Sequence, residues 1–419
     1  MLLHQHADCD GATRRRRFCH CHSMFAPAMT TIARLRVATL LFLLSATLGA
    51  GAVTTLAPGA DNAVIEVLPT ITRVRPGTLI VAAPAGNPAQ VAEQARQAIS
   101  VARQTGDTRY WGRAQAQLAP WWNKAEAPPD LAVLQATVQQ GRHEFDAARK
   151  VLAATLARSP GHAQGWLNLA ALERLSGRYA DSLRACAAVA RAGQALYAQA
   201  CQLETRSLQG DTAVSGQGLR ALLAATTEPG QRSWLLSLLA EHLERAGDDT
   251  GAATAYQDSL RAEADLYTAI AYGDLLLRSG RPAQALHALA ALPATDAVVL
   301  RRAAAWRRSG DNRWVAARAE LRERAAELTR RGDDPALHGR ELALAAWWLD
   351  DDAQTALQLA RANLLLQREP VDWWVALGAA RQSQDSAAVA QIGAEIRAAG
   401  LHDARLAVVG KPPPRISTP

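Results

Sequence analysis

Small turn residues recur about every 34 positions along most of this 419-residue chain. Successive members are separated by 35, 36, 33, 37, 33, 30, 41 and 34 residues. The members are Gly106, Gly141, Gly177, Gly210, Gly247, Gly280, Gly310, Asp351 and Asp385. A period of this size is typical of stacked supersecondary units, because one unit cannot bury its own apolar face. The sequence therefore predicts a chain built from stacked repeats.

Several of the periods also carry the same spacing of small and large residues. Gly273 and Ala285 stand seven positions before and five positions after Gly280, with Leu276 and Leu289 as the bulky residues of the same unit. Small residues let two helices approach closely, bulky ones fill the space between them, and glycine supplies the left-handed turn that ends the first helix. Apolar residues are spaced by three or four, and good helix formers dominate, so both elements of each unit are predicted to be α-helices.

This pattern resembles the tetratricopeptide repeat (TPR) family over residues 91–403. The resemblance implies an all-α fold, a right-handed superhelical solenoid of eight or nine stacked antiparallel helix pairs whose first and last pairs act as caps. In that family consecutive first helices line a concave groove that holds a peptide or a partner segment. By register, the residues expected in the groove are Gln164, Arg174, Trp234, Glu241, Glu244, Tyr267, Asp274, Arg278, Arg307 and Trp348. Acidic and basic members alternate between repeats, so no groove of a single charge is expected.

Members of the family that bind chaperones hold a peptide's terminal carboxylate with lysine and asparagine side chains. The matching positions here are Leu167, Ala171, Ser237 and Glu241. The resemblance therefore does not extend to a carboxylate clamp.

Residues 29–52 have the composition of a secretory signal peptide. Arg34 and Arg36 precede an apolar stretch at 37–48, and small residues at 50–52 provide a cleavage point. A dozen apolar residues fall short of the ~20 that span a bilayer, so no stable membrane insertion is expected after cleavage. The sequence predicts a periplasmic or otherwise exported protein.

The segments around the signal and the repeats have compositions of their own. Residues 1–28 are interpreted as an over-extended gene start or a disordered leader, and Met1, Met24 and Met29 are all candidate starts. The segment is rich in cysteine and histidine, which bind zinc or copper, so a metal-handling envelope protein is the alternative function. Residues 53–90 carry five prolines and are predicted to form an extended lead-in, and residues 404–419 a disordered tail.

Charge argues against nucleic acid as a partner. The whole chain has 46 basic and 39 acidic residues, for a net charge of +7. Residues 1–52 hold six of the basic and two of the acidic residues, which leaves 40 and 37, or +3, for the exported chain. The exported chain is nearly neutral for its size, so the basic pI of the whole sequence is no evidence for nucleic-acid binding, and no nucleic-acid partner is expected.

Two cysteines, Cys186 and Cys201, follow the signal segment. They are equidistant from a predicted turn near Gly193 and Gln194 that joins two antiparallel helices, so a disulfide between them is feasible. An exported chain with two cysteines favours an oxidised pair.

No motif for catalysis or cofactor binding is present: the chain lacks Gly-x-Ser-x-Gly, His-Glu-x-x-His and phosphate-binding loops. No catalytic residue, metal site or cofactor is therefore predicted, and the run Asp350–Asp352 is interpreted as a helix cap. Six of the eleven tryptophans come as adjacent pairs, in which one member can be core while the other faces the groove. The expected function is a non-enzymatic protein–protein or peptide-binding scaffold of the bacterial cell envelope.

Overall fold

The computed structural model describes residues 87–330, 332 and 335–408, which form α-helices and no strand. Short 3-10 helices lie at Ala119–Trp121 and Pro335–His338. The α-helices are α1 (Pro88–Thr105), α2 (Arg109–Leu118), α3 (Pro129–Gly141), α4 (Phe145–Arg158), α5 (Ala163–Leu175), α6 (Tyr179–Arg191), α7 (Ala195–Leu208), α8 (Thr212–Ala225), α9 (Pro229–Ala246), α10 (Asp249–Ala262), α11 (Leu266–Arg278), α12 (Pro282–Leu289), α13 (Asp296–Arg308), α14 (Arg313–Arg330), α15 (Gly339–Trp348), α16 (Ala353–Asn363), α17 (Pro370–Gln382), α18 (Ser386–Ala399) and α19 (Ala404–Val408).

The first eighteen helices form nine hairpins, each made of an odd-numbered first helix and an even-numbered second helix. Each helix packs on its hairpin partner, and most first helices also touch the first helix of the next hairpin. This pairing confirms the prediction of an all-α solenoid of eight or nine hairpins. Within the described ranges, no helix is both long enough and apolar enough to span a membrane.

The periodic turn residues end the first helices as predicted at seven of the nine positions, where φ is positive. Gly141 and Asp385 are the two exceptions. The left-handed residue near Gly141 is His143 (φ 62°), and the one near Asp385 is Gln384 (φ 59°). Gly141 is the last residue of α3, where a Cβ would stand 2.5 Å from the Trp111 ring. Close packing therefore explains this glycine, while Asp385 caps α18 by accepting from the Ala388 N–H (2.8 Å).

The disulfide predicted from the hairpin geometry is present. Cys186 on α6 and Cys201 on α7 are bonded, with their Cα atoms 5.7 Å apart. Gly193, with φ 84°, lies in the turn between the two helices, as predicted. The bond ties the third hairpin to the fourth.

Beyond the nearest-neighbour packing, the chain contacts itself again six hairpins later. Residues at a hairpin turn, or at the end of a first helix, contact segments that come 189, 194, 193 and 194 residues later in the sequence. Each of those later segments lies just before an odd-numbered helix, from α13 to α19. The contacts join Gly106 with Thr295, His143 with Leu337, Leu175 with Arg368, and Leu208 with His402. The side of the first helices is thus enclosed by the chain itself along part of its length.

Helix α19 corrects the predicted boundary of the tail. Ala404–Val408 is helical and Leu406 is buried, although these residues were assigned to a disordered segment. A five-residue helix is too short to be stable alone, so packing against other parts of the chain determines its conformation. The proposed leader, signal peptide and most of the lead-in (1–86), and residues 409–419, lie outside the described residues.

Candidate partner-binding site

All ten residues predicted to line the groove lie on first helices. They occupy α5, α9, α11, α13 and α15, and we call the side of these first helices on which helical register places them the inner face. The structure describes this face in two parts. From α5 to α11 the polar predicted residues make hydrogen bonds and ion pairs in a buried or half-buried network, and around α13 to α17 they lie in a cluster of half-buried tryptophans.

Ion pairs connect neighbouring first helices along the inner face. Arg278 of α11 donates to Glu244 of α9 at 2.9 Å, and Arg301 of α13 donates to Asp274 of α11 at 2.8 and 2.9 Å. Arg301 also lies 3.7 Å from Glu341 of α15. The alternation of charge seen in the sequence therefore reflects pairing between adjacent repeats. A packing of the hairpins that separated a buried carboxylate from its guanidinium would cost several kcal/mol of stability, as ~3–5 kcal/mol is typical for breaking such a pair. The ion pairs therefore favour the observed stacking of neighbouring hairpins.

Glu204 is a missed member of this network. It is buried on α7, and its Oε2 lies 2.7 Å from Nη2 of Arg174 on α5. Among the described residues neither carboxylate oxygen receives a hydrogen bond of good geometry, so the contact is mainly coulombic. Burial raises the pKa of Glu204 to about 7, although the charge of Arg174 opposes the shift. Helical register placed Arg174 on the inner face, but could not show which acidic residue would face it.

The α9 helix forms the centre of the buried network. Tyr267 donates from Oη to Glu241 at 2.9 Å, and Arg245 lies 3.6 Å from the same carboxylate. Burial raises the pKa of Glu241. Arg245 also donates to Ser207 Oγ (3.0 Å), which contacts Nδ1 of His242 at 2.8 Å. The remaining predicted residues are Gln164, which bonds to Asn168 (2.8 Å), and Trp234, which is buried against Tyr197.

The end of the network was also missed in the sequence. Arg340 of α15 donates to both oxygens of Asp372 on α17 at 2.7 and 2.8 Å, and to Glu369 at 2.6 Å. Asn363 donates to Asp372 as well, at 2.7 Å. The sequence pattern that could have predicted this pair is the recurrence of opposite charges on consecutive first helices, which continues from Arg301 to Arg340 and Asp372.

Tryptophans cluster where α15 meets α17. The ring of Trp374 lies 4.9 Å from that of Trp347 and 6.2 Å from that of Trp348. All three are half-buried, whereas Trp373, the neighbour of Trp374, is buried (1% exposed). The pair at 373–374 thus splits between core and surface as predicted.

Arginines complete this surface. Arg307 of α13 donates to the Trp348 carbonyl at 2.6 Å, pairs with Asp351, and stands 5.1 Å from the centre of the Trp314 ring. Arg308 lies 5.4 Å over Trp348. We call the set Arg307, Arg308, Trp314, Trp347, Trp348 and Trp374 the tryptophan–arginine surface. Guanidinium stacking restricts the motion of the tryptophan rings in the free protein. Less side-chain conformational entropy is then lost when a partner binds.

The acidic run at 350–352 is used within the protein. Asp352 caps α16 by accepting from Thr355 N–H (3.0 Å), Asp351 pairs with Arg307, and Asp350 pairs with Arg318 and Arg322. The predicted capping role is confirmed for Asp352. No group of three metal-ligating residues occurs in the ranges that the structure describes.

Acid is expected to destabilise the fold through His242 and to stabilise it through Glu204. Burial, Arg245 and Arg220 lower the pKa of His242 from 6.5 to about 4 in the folded state. Between these two pH values the unfolded chain binds a proton at His242 and the folded chain does not, so acid favours unfolding. Its stabilising contribution is lost as the pH falls from about 6.5 towards 4. The raised pKa of Glu204 has the opposite sign: its contribution is present at low pH and is lost as the pH rises through about 7.

Thermal melts from pH 7.5 to 4.5 measure both effects. Compared with the native chain, His242→Gln should lose less stability on acidification, and Glu204→Gln should lose more. Parallel Tm curves for all three proteins would contradict the assignment.

Comparisons with known proteins do not assign this chain to a family. No protein-family model matches it, and no curated protein is significantly similar. The described helices and their pairing decide the architecture. The chain is an all-α solenoid. Among solved structures, the crystal structure of the P58(IPK) TPR domain aligns with 71% of this chain and 99% of that chain, at 13% sequence identity and a TM-score of 0.21. A TM-score this low adds nothing to the helix pairing, although the neighbour comes from the family that the sequence resembles.

Proposed function

We propose that this protein is a non-enzymatic scaffold of the bacterial cell envelope that holds a partner protein or peptide on the inner face of its solenoid. The observation that carries the proposal is the tryptophan–arginine surface. Its tryptophan and arginine side chains are half-buried and keep part of their area exposed, and these residue types contribute most to protein–protein interfaces. Stacked helical hairpins present such side chains on a rigid, extended surface.

We place the partner by comparing which side chains of the inner face are engaged within the protein and which keep exposed area. Between α5 and α11 the polar side chains are engaged with one another, and the chain encloses that region itself. Around α13 to α17 the rings keep part of their area exposed. A partner therefore gains most by covering Trp348 and Trp374, because burying aromatic area removes it from water and both rings are already oriented.

The disulfide supports export. Cys186 and Cys201 are bonded, and stable disulfides persist in oxidising compartments such as the periplasm. The signal segment at 29–52 is the basis for placing the mature protein in the envelope. The metal-handling alternative depends on residues 1–28, and no observation on the described residues favours it.

Crosslinked capture from envelope extracts, quantified by mass spectrometry, tests the proposal. The Trp348→Ala, Trp374→Ala double variant should capture the partner at least about tenfold less than the native chain, because one interfacial tryptophan is worth about 2 kcal/mol or more. Trp122→Ala, which truncates a half-buried tryptophan of the first hairpin, is the matched control and should capture normally.

Thermal melts of each variant separate lost binding from lost folding. Equal capture by the folded double variant and the native chain would place the partner elsewhere. If the native chain captures no protein above a bead control, the scaffold proposal fails.

A further inference from the structure

The last described residues of the chain behave as a ligand of its own inner face. The terminal segment, Leu401–Val408, follows Gly400, whose φ of 67° ends α18. It then contacts two helices earlier in the sequence, α7 at a separation of 194 residues and α9 at a separation of 161 residues. The His402 N–H donates to the Leu208 carbonyl at the end of α7 (2.8 Å), and the His402 ring packs where a Cβ on Gly210 would stand 2.8 Å away.

Arg405 makes the charged contact of the terminal segment. Its Nη1 lies 3.2 Å from Oε2 of Glu244 on α9, and Asp403 orients the guanidinium with hydrogen bonds of 2.6 to 3.1 Å. Glu244 also accepts from Tyr256 and Arg278, at 2.9 Å each. The carboxylate that receives Arg405 is thus held in place by groups of the solenoid itself.

Apolar anchors and a close backbone approach complete the docking. Leu401 and Leu406 are buried in the main core cluster, at 5% and 7% exposure. Ala404 lies against Gly247: a Cβ atom placed on Gly247 would stand 3.3 Å from the Cβ of Ala404. One backbone hydrogen bond and one guanidinium therefore attach a short segment to the ends of α7 and α9, with Leu406 buried in the core cluster beside them, which is the way that a bound peptide attaches.

Position in the chain makes this contact separable from the fold. Among the described residues, the segment follows α18 and its helix α19 contacts α9 and α17. The packing of α7 on α8 and of α9 on α10 does not involve the segment, so its departure breaks the His402 hydrogen bond and the Arg405 ion pair without removing those helix pairs. The docking surface is therefore available whenever the segment leaves.

We propose that the terminal segment is an intramolecular ligand which occupies a peptide-binding site on α7 and α9, and that this site accepts a partner segment of the same chemistry. That chemistry is an arginine with an aspartate two residues before it and a leucine directly after it. The inference rests on the proposed scaffold function for its biological meaning, but the site itself is tested without any natural partner. The tethered segment competes for the site at an effective concentration of order mM. An external peptide therefore binds only to the fraction of molecules in which the tethered segment has left the site.

A labelled synthetic peptide with the sequence of residues 400–408 tests the proposal on the full chain by fluorescence anisotropy. The Arg405→Ala protein should bind it at least about tenfold more tightly than the native protein, because weakening the tethered segment raises the fraction of open sites. The same peptide with Arg405→Ala should bind neither protein. Arg397→Ala, an exposed arginine on α18, is the matched control and should bind like the native protein.

Two further arms keep the test decisive. Leu406→Ser loosens the tethered segment without changing its charge and should also increase binding, so it replaces Arg405→Ala if circular dichroism shows that variant to be unfolded. Hydrogen exchange at residues 401–408 should quicken in whichever variant is used. Equal binding to the native and loosened proteins, or no binding to a folded loosened protein, overturns the inference. Neither result bears on capture of a partner by Trp348 and Trp374.

Discussion

Replacing Arg340 by alanine is expected to lower the free energy of unfolding by about 3–5 kcal/mol at pH 7. Arg340 donates to both oxygens of Asp372, whose side chain is fully buried, and to Glu369. Removing the guanidinium takes the cation away from the buried Asp372 carboxylate, while Asn363 still donates to one of its oxygens. Desolvation of Asp372 then dominates, because its buried charge keeps its cost and loses the cation that offsets it.

Chemical denaturation of the native protein, Arg340→Ala and Arg261→Ala measures the effect. Arg261 pairs with Asp258 within one exposed helix face, with the arginine side chain 75% exposed, so its removal should cost no more than about 0.5 kcal/mol. Burial already raises the pKa of Asp372. Without Arg340 that pKa rises further, so the deficit of the variant should shrink as acid neutralises the carboxyl group. A loss equal to that of Arg261→Ala would show that the pair is not buried in solution.

Replacing both Cys186 and Cys201 by alanine is expected to cost about 3 kcal/mol of stability, because the bond closes a loop of 15 residues and limits the unfolded chain. The bond also joins two neighbouring hairpins, so its loss should weaken the contact of α6 with α7 more than contacts elsewhere. Both side chains are buried, at 0% and 3% exposure, and alanine fills most of their volume. The loss should therefore reflect the crosslink rather than a cavity.

Denaturation with and without reductant separates these contributions. Reductant should lower the stability of the native protein to roughly that of the alanine pair and should not affect the pair itself. A native protein that is indifferent to reductant under conditions that expose its thiols would contradict a stabilising role for the bond.

Local features of this chain were predictable because short-range patterns determine them. The spacing around Gly280 and its equivalents specifies a hairpin of two helices, since small residues at fixed distances from the turn let the helices meet. The midpoint of Cys186 and Cys201 coincides with the turn at Gly193, which was enough to predict the disulfide. Gly141 shows the limit of this reasoning: its small size accommodates Trp111 from the preceding hairpin, a contact that no local pattern contains.

The binding surfaces were only partly predictable. Helical register placed Arg307 and Trp348 on first helices, and the structure joins them to Trp314, Trp347 and Trp374 in one surface. Register also placed Glu244 on the inner face, but its contact with Arg405, 161 residues later, follows from the path of the whole chain. Arg340 and Asp372 were missed for the same reason, because a charge pair between repeats depends on how two hairpins are rotated against each other.

The sequence by itself determined that this protein is a series of helical hairpins, where most of them turn, and which two cysteines join. Each of those features depends on residues within one or two repeats. Only the tertiary structure decided that the chain meets itself six hairpins later, that the alternating charges of the first helices pair with one another, and that the terminal segment docks on α7 and α9. The physical reason is that small rotations between neighbouring hairpins add up along the solenoid, and side-chain packing at every interface determines their sum.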